Sequence, residues 1–339
     1  MHRMSTQEPT PVGVVGCGRM GRLHARVYSQ IPEAKLVGVY DANPEAAAAV
    51  AQQFSCRAFT TIEEMLPLVK AVTIATPTVT HESLSSVFIK AKVACLIEKP
   101  LAKDVAEASR IAALARSTGT IVQVGHVERF NPIVRALNPY DIKPGFIEVI
   151  RVSPFTFRSV DVGVVLDMMI HDIDIVLKFA KSKPVQVDSV GVSVIGDVED
   201  VCNARVRFEN GCVANFTASR LALKTERKLR AFSPDAYVSL DYQKRTGTVA
   251  LKSGNVAALR DAMAKIRSGE IEDISQLNFV ELVQIEELKA DNVEPLRAEL
   301  DAFLYAYRTN TRPEVNADDG LAAVELATQI VANMTTKVI

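Results

Sequence analysis

The densest set of groups able to move protons lies between Asp167 and Asp174. On an α-helix, positions four and seven apart share a face, so Asp167, His171 and Asp174 form a polar stripe with Ile170, Ile173 and Leu177 turned the other way. A carboxylate one turn from an imidazole orients the ring and supports its protonated form, which is what a general base requires. Two other readings fit the same spacing. The stripe can be the solvated side of an ordinary helix, or Asp167, His171, Asp172 and Asp174 can be metal ligands, although no second His or Cys cluster accompanies them.

Lys99 is a second candidate. It lies in Glu98-Lys99-Pro100, a turn after the apolar run Val93 to Ile97. An ammonium there can hydrogen-bond a substrate hydroxyl and stabilise the alkoxide that develops as hydride leaves. A lone lysine in a surface loop would look the same from the sequence.

These groups need a scaffold, and Pro11 to Asp41 supplies its clearest part. An apolar run, Val12 to Val15, breaks at Gly16-Cys17-Gly18-Arg19-Met20-Gly21, continues with helical spacing through Leu23, Val27 and Ile31, and returns as Leu36 to Tyr40 before Asp41. In such a strand, turn, helix and strand, Gly16 permits the tight turn and Gly18 lets backbone approach a pyrophosphate. Gly21 lets helix and strand pack closely, with the phosphate at the helix N-terminus. Asp41 ends the second strand, where a carboxylate accepts from a ribose hydroxyl. No cation adjoins Asp41, so a 2'-phosphate meets repulsion and NAD is favoured over NADP, although Arg19 can still swing towards a phosphate.

The rhythm continues as alternating strands and helices. Asn43 to Phe54 and Thr60 to Leu68 read as helices, Ala71 to Ala75 as a strand ending in Thr76-Pro77, and the segment after it as a helix to Lys92 that includes His81. Val93 to Ile97, a helix over Val105 to Ser117 and a strand over Ile121 to Val124 complete a doubly wound parallel sheet. Ligands of such sheets bind beyond the carboxyl ends of the strands, which groups the Gly16 turn, Thr76, Pro77, Glu98, Lys99 and His126 at one edge.

After residue 127 the pattern changes. Asn131 to Leu137 reads as a helix, Phe146 to Phe157 as a strand and Gly163 to Ala180 as a helix. From Val185 to Leu251 the period becomes two: Ala204, Val206 and Phe208 alternate with Arg205 and Arg207, and Asn210-Gly211 marks a hairpin. Ala257 to Arg267 reads as a helix, Phe279 to Leu288 as an edge strand, and Pro295 to Thr309 and Asp318 to Asn333 as closing helices. The expected organisation is a flexible tail over 1–10, a dinucleotide-binding domain over 11–126, and a substrate-binding and oligomerisation domain over 127–339. The fold class is α/β, with a large, mainly antiparallel second sheet whose free face can pair with another subunit.

With 339 residues, 48% of them hydrophobic, the chain can build two cores, and a net charge of -1 argues against nucleic acid or an anionic membrane as partner. Five scattered cysteines without C-x-x-C spacing suit a reducing compartment. Residues 1 to 10 read as neither signal peptide nor anchor, and no run is long enough to span a membrane, so a cytoplasmic location is expected.

Taken together, Gly16-x-Gly18-x-x-Gly21, Asp41, Thr76-Pro77, Glu98-Lys99-Pro100 and Asp167-x-x-x-His171-Asp172 resemble the glucose-fructose oxidoreductase, inositol dehydrogenase and MocA family (Gfo/Idh/MocA). The resemblance spans nearly the whole chain. It implies an N-terminal Rossmann domain, a C-terminal domain with an open sheet used for homodimer or homotetramer contacts, and a site between them. It also implies that Lys99 binds and polarises the substrate hydroxyl, that His171 takes its proton and Asp167 assists, and that Pro100 is often cis. For the cofactor it implies Gly16, Gly18, Arg19, Met20, Gly21, Asp41, Thr76, Pro77, His81, Glu98 and Lys99.

More finely, Gly125 to Pro132 and Met168 to Asp174 look like the branch that oxidises nucleotide sugars, particularly UDP-N-acetylglucosamine at its 3-hydroxyl. That branch implies substrate contacts from Lys99, His126, Arg129, Asn131, Arg158 and His171. Arg129, Arg151 and Arg158 suit a diphosphate, because guanidinium forks match phosphate oxygens. The alternatives are a free-sugar or inositol dehydrogenase of the same family, or an NAD-binding sensor without turnover. A sensor would be expected to lose the lysine or the histidine, and this chain has both.

Overall fold

The computed structural model describes residues 8–156, 161–252, 256–270 and 283–338. The chain opens with β1 (Thr10–Val15), α1 (Arg19–Tyr28), β2 (Ala34–Tyr40), α2 (Pro44–Gln53), β3 (Arg57–Phe59), α3 (Ile62–Met65), β4 (Ala71–Ile74), α4 (His81–Lys90), β5 (Ala94–Glu98), α5 (Val105–Thr118) and β6 (Val122–Gly125). The six strands pair in parallel in the order β3-β2-β1-β4-β5-β6. That is the doubly wound arrangement expected. β4 and β5 are buried along their whole length, as strands covered on both faces must be.

Local chemistry fixes the helix ends. Asn43 caps α2 by accepting from the Glu45 and Ala46 amides, and Pro44 opens the helix. Asp104 caps α5, which ends at Gly119 with φ +68°. Pro67 turns the run after α3 into a short 3-10 stretch, Leu66–Leu68, so the expected helix to Leu68 is divided. Thr10 already opens β1, so the expected tail extends no further than residue 9, and residues 1–7 lie outside the described residues.

The second part comprises α6 (Pro132–Arg135), β7 (Phe146–Val152), α7 (Ile170–Ala180), β8 (Pro184–Ser193), β9 (Val201–Phe208), β10 (Val213–Ser219), β11 (Glu226–Phe232), β12 (Ala236–Asp241), β13 (Thr246–Lys252), α8 (Val256–Ser268) and β14 (Val283–Glu287). Two helices follow, α9 (Pro295–Thr309) and α10 (Ala317–Ala332), and then β15 (Met334–Val338). The second sheet has nine strands in the order β14-β13-β12-β11-β7-β10-β9-β8-β15. It is mostly antiparallel, with β7–β10 and β8–β15 parallel.

Period two is realised in β9, where Cys202, Ala204, Val206 and Phe208 are buried and Asn203, Arg205 and Arg207 exposed. Asn210-Gly211 makes the hairpin, with Gly211 at φ +87°. α7 packs on β7, and Ile147 and Val149 of β7 are buried. The other face carries polar cross-strand pairs, Arg205 with Asn215, Asn203 with Thr217 and Arg230 with Glu148. β14 is the edge strand foreseen; residues 279–282 of that expectation lie outside the described residues.

The chain divides into two compact units, one of the described residues up to Phe130 with Val293–Ala332, the other of Asn131–Asn292 with the described residues from Asn333 onward. This differs from the boundary expected at 126/127. The closing helices belong with the parallel sheet: Leu296, Leu300 and Phe303 of α9 join the cluster of Val12, Val14 and Tyr28, and Val324 of α10 joins that of Ile97 and Val124.

Candidate active site

In the first unit the glycine turn has the shape a dinucleotide phosphate needs. Gly16 has φ +95°, and a Cβ there would lie 2.7 Å from the Ala75 carbonyl carbon and closer still to its oxygen. A Cβ on Gly21 would meet the Gly16 carbonyl in the same way. Around Gly18, by contrast, nothing lies within 4 Å of a built Cβ, and Gly18 N-caps α1 without a side-chain bond. Bare backbone and uncapped amides thus face open space at a helix N-terminus that has no acidic residue in its first turn. Arg19 is exposed and Met20 half-buried beside it.

Asp41 is stitched to this turn. One carboxylate oxygen accepts from the Cys17 amide at 2.6 Å and the other from the Asn43 amide at 2.8 Å. The remaining lone pairs of a half-buried carboxylate suit ribose hydroxyls. The donors and shape present therefore fit a dinucleotide. Burial, with Asp41 adding to it, pushes the Cys17 thiol up to about 12, so this cysteine is a packed neutral group.

At the next strand end, Thr76 is half-buried and Pro77 exposed. His81, expected among the cofactor contacts, is only 1% exposed. Its Nδ1 lies 3.0 Å from the Pro100 carbonyl oxygen and its Nε2 3.0 Å from that of Thr76. Burial lowers its pKa, and the two carbonyl hydrogen bonds oppose that. The ring reaches the strand ends, not the space in front of them.

Glu98, the last residue of β5, is likewise turned inward. Its Oε1 accepts from His24 Nε2 at 2.8 Å and its Oε2 from the Lys99 amide at 3.2 Å. Burial pushes the Glu98 carboxyl up, but the His24 hydrogen bond and the nearby positive charge outweigh it, and the net direction is down. Gly125 of β6 allows this approach: a Cβ there would sit 3.0 Å from Glu98 Oε2. Lys99 itself is half-buried, and the Lys99–Pro100 peptide is cis, as the resemblance implied.

In the second unit the polar stripe is rearranged. Val165–Met169 is a π-helical turn running into α7, so the α-helical register assumed across Asp167 and His171 does not hold there. Asp167 and His171 are both half-buried and reach the surface. Asp174 is fully buried, and Asp172 is buried in a bidentate pair with Arg151 at 2.7 and 2.9 Å. Among the described residues, Asp167, His171, Asp172 and Asp174 do not converge as metal ligands, whereas His24, Glu98 and Glu299 do come within 4.8 Å of one another.

The expected substrate contacts in Gly125 to Pro132 also turn inward. That run is a 3-10 turn, Val127–Phe130, followed by α6, and not an open loop. His126 is 1% exposed; Arg129 is buried and donates to the Glu314 carbonyl; Asn131 caps α6 and donates to the Tyr242 carbonyl. Arg129 and Arg151 are therefore engaged inside the protein and do not present forks to a diphosphate, and Arg158 lies outside the described residues. Sequence spacing did not single out His24, which holds Glu98; the signal available was an apolar-face position of α1 occupied by histidine.

Comparison with known proteins agrees with this architecture. The model of the Gfo/Idh/MocA oxidoreductase family, NAD-binding Rossmann fold, matches residues 10–126, and that of the Gfo/Idh/MocA C-terminal domain matches residues 148–236. The chain belongs to this family of oxidoreductases and is a dehydrogenase acting on CH–OH groups. It is 40% identical to UDP-N-acetylglucosamine 3-dehydrogenase of Acidithiobacillus ferrooxidans over 235 residues, 69% of this chain and 74% of that one. A solved structure of the protein of that name from the same organism superposes with a TM-score of 0.85 at 32% identity, covering 97% of this chain and 98% of that one. Inositol 2-dehydrogenase of Rhizobium meliloti is 26% identical over 96% of this chain and 97% of its own length. Among the described residues no helix is long and apolar enough to cross a membrane.

Proposed function

We propose that this enzyme oxidises the 3-hydroxyl of UDP-N-acetylglucosamine to a ketone with NAD as hydride acceptor. The observation that carries the reading is the likeness to UDP-N-acetylglucosamine 3-dehydrogenase, at 40% identity over 69% of the chain and with a similar structure along 97% of it. Lys99 and Asp41 of the first unit and His171 and Asp167 of the second stand where solvent and ligands can reach them, which supports the same reading.

In this reaction the Lys99 ammonium donates to the substrate oxygen and stabilises the negative charge that grows on it. His171 accepts the hydroxyl proton, and Asp167 supports the resulting imidazolium. A bound NAD would supply the hydride acceptor, so the carbinol C–H hydrogen would leave with both bonding electrons as the O–H proton passes to His171 and the C=O bond forms. Asp41 accepts from the adenosine ribose and favours NAD over NADP. Gly16, Gly18, Arg19, Met20 and Gly21 hold the pyrophosphate, and Thr76 and Pro77 line the next strand end. Arg158 is assigned to the substrate diphosphate, where Arg158→Ala raises KM for the nucleotide sugar.

The likeness to an inositol 2-dehydrogenase keeps oxidation of inositol or a free sugar as the second reading. We assign the enzyme to the cytoplasm, in keeping with its five free cysteines, and to a homodimer or homotetramer formed through the polar face of the nine-stranded sheet. The test of the catalytic assignment is His171→Asn. Turnover is lost while NADH affinity stays unchanged; loss of NADH binding would contradict it.

A further inference from the structure

We propose that His24 and His81 are positioning residues for Lys99, two buried imidazoles that pin the backbone immediately before and immediately after it. The proposal rests on the reading of Lys99 as the residue that binds the substrate hydroxyl.

Lysine carries its charge on four methylenes with large rotamer freedom, so where its ammonium comes to lie depends on how firmly its backbone is held. Two hydrogen-bond chains do this. On the N-terminal side, His24 Nε2 meets Glu98 Oε1 at 2.8 Å, and Glu98 Oε2 accepts from the Lys99 amide at 3.2 Å. An ionised carboxylate only accepts, so Nε2 carries the proton and His24 holds Glu98 in the rotamer that holds Lys99. Glu299 of α9 presents a carboxylate oxygen to the same cluster.

On the C-terminal side, His81 Nδ1 lies 3.0 Å from the Pro100 carbonyl oxygen and Nε2 3.0 Å from that of Thr76. Both oxygens only accept, so the neutral ring protonated at Nδ1 donates to Pro100 and fixes the residue after Lys99, and the imidazolium donates to both. His24 is 0% exposed and His81 1%, so neither ring meets a ligand, and any effect on turnover passes through Lys99.

The two rings use different nitrogens, and that makes the proposal separable from a general loss of packing. A glutamine amide reaches the position of histidine Nε2, whereas an asparagine amide reaches that of Nδ1. Glutamine at 24 therefore keeps the hold on Glu98 and asparagine loses it. At 81 the pattern reverses, because asparagine keeps the hold on Pro100 and glutamine keeps only that on Thr76.

The experiment compares His24→Gln, His24→Asn, His81→Gln and His81→Asn in the full chain. It reads kcat and KM with NAD and UDP-N-acetylglucosamine, NADH affinity by fluorescence, and hydrogen exchange of the Lys99 amide. His24→Asn and His81→Gln are expected to lower kcat by the order of 10²-fold, as sub-ångström to ångström misplacement of a catalytic group does, with KM and NADH affinity unchanged. His24→Asn also speeds Lys99 amide exchange, and His24→Gln and His81→Asn stay close to wild type. Equal kcat in all four, or equal loss in each pair, would overturn the proposal. The amide exchange separates this outcome from failure of the substrate reading: if the wild type oxidises none of the sugars offered, faster Lys99 exchange in His24→Asn than in His24→Gln still supports the clamp, and identical exchange overturns it.

Discussion

Gly18 and Gly21 stand three residues apart in one turn, yet the structure gives their alanine variants opposite phenotypes. At Gly21 the new Cβ meets the carbonyl of Gly16, with the carbonyl carbon only 2.7 Å away. The obstacle is backbone at the close approach of β1 and α1 and cannot rotate aside. Alanine returns about 1 kcal/mol of helix propensity there, but overpacking against a fixed group costs about 1–3 kcal/mol or more. At Gly18 the same methyl touches nothing within 4 Å, and φ −67° and ψ −164° suit any residue. The fold loses less than about 1 kcal/mol, the difference between glycine and alanine at an N-cap. What the methyl does occupy is the space in front of the helix N-terminus, so NADH affinity falls by about tenfold or more, ~1.4 kcal/mol. Thermal unfolding without ligand and fluorescence titration with NADH separate the two. Gly18→Ala unfolds with the wild type and binds NADH weakly, whereas Gly21→Ala unfolds early. Wild-type NADH affinity in Gly18→Ala, or wild-type stability in Gly21→Ala, would refute this account of the turn.

Three further outcomes follow from named contacts. Asp41→Ser removes the carboxylate that would repel a 2'-phosphate, and the affinity for NADPH relative to NADH, titrated in parallel, rises about tenfold or more. Arg151→Met strands the buried Asp172 carboxylate and costs about 3–5 kcal/mol in urea unfolding, while Arg151→Met with Asp172→Leu recovers most of it. Burial holds the Cys17 and Cys202 thiols at about 12 in the folded protein, well above the ordinary thiol range of roughly 8.5 to 9 that they have when unfolded. Below the unfolded value this contributes nothing that varies with pH. As pH rises from there towards about 12, unfolding releases thiol protons and stability falls, so the urea midpoint at about pH 10 lies below that at about pH 8.

The first unit was legible in the sequence because each of its signals is local. The glycine turn and the run of apolar strands each act over a few residues. β3 and β15 were not foreseen. Arg57–Phe59 is three residues long, and Met334–Val338 follows directly on α10, so neither shows a period of its own. The return of α9 and α10 to the first unit was hidden for a different reason: an apolar helix face states that it must be covered, not by which sheet.

At the site, residue type was legible and direction was not. Glu98, His81, His126, Arg129 and Asn131 sit where expected along the chain, but His126 is buried and hydrogen bonds to residues distant in sequence turn the other four inward. The π-helical turn at Val165–Met169 likewise shifts the register of Asp167 against His171 and Asp174 of α7, and of the three Asp174 is buried while Asp167 and His171 are half-buried.

The most direct test of the central claim is the change in nicotinamide absorbance when purified protein and NAD meet UDP-N-acetylglucosamine, with other UDP-sugars, free hexoses and inositols in parallel. A keto acceptor is supplied in separate runs in case the cofactor is retained between turnovers. The account predicts reduction with UDP-N-acetylglucosamine, a 3-keto product, and none of either with His171→Asn. Reduction with inositol or a free hexose and none with any UDP-sugar would contradict it.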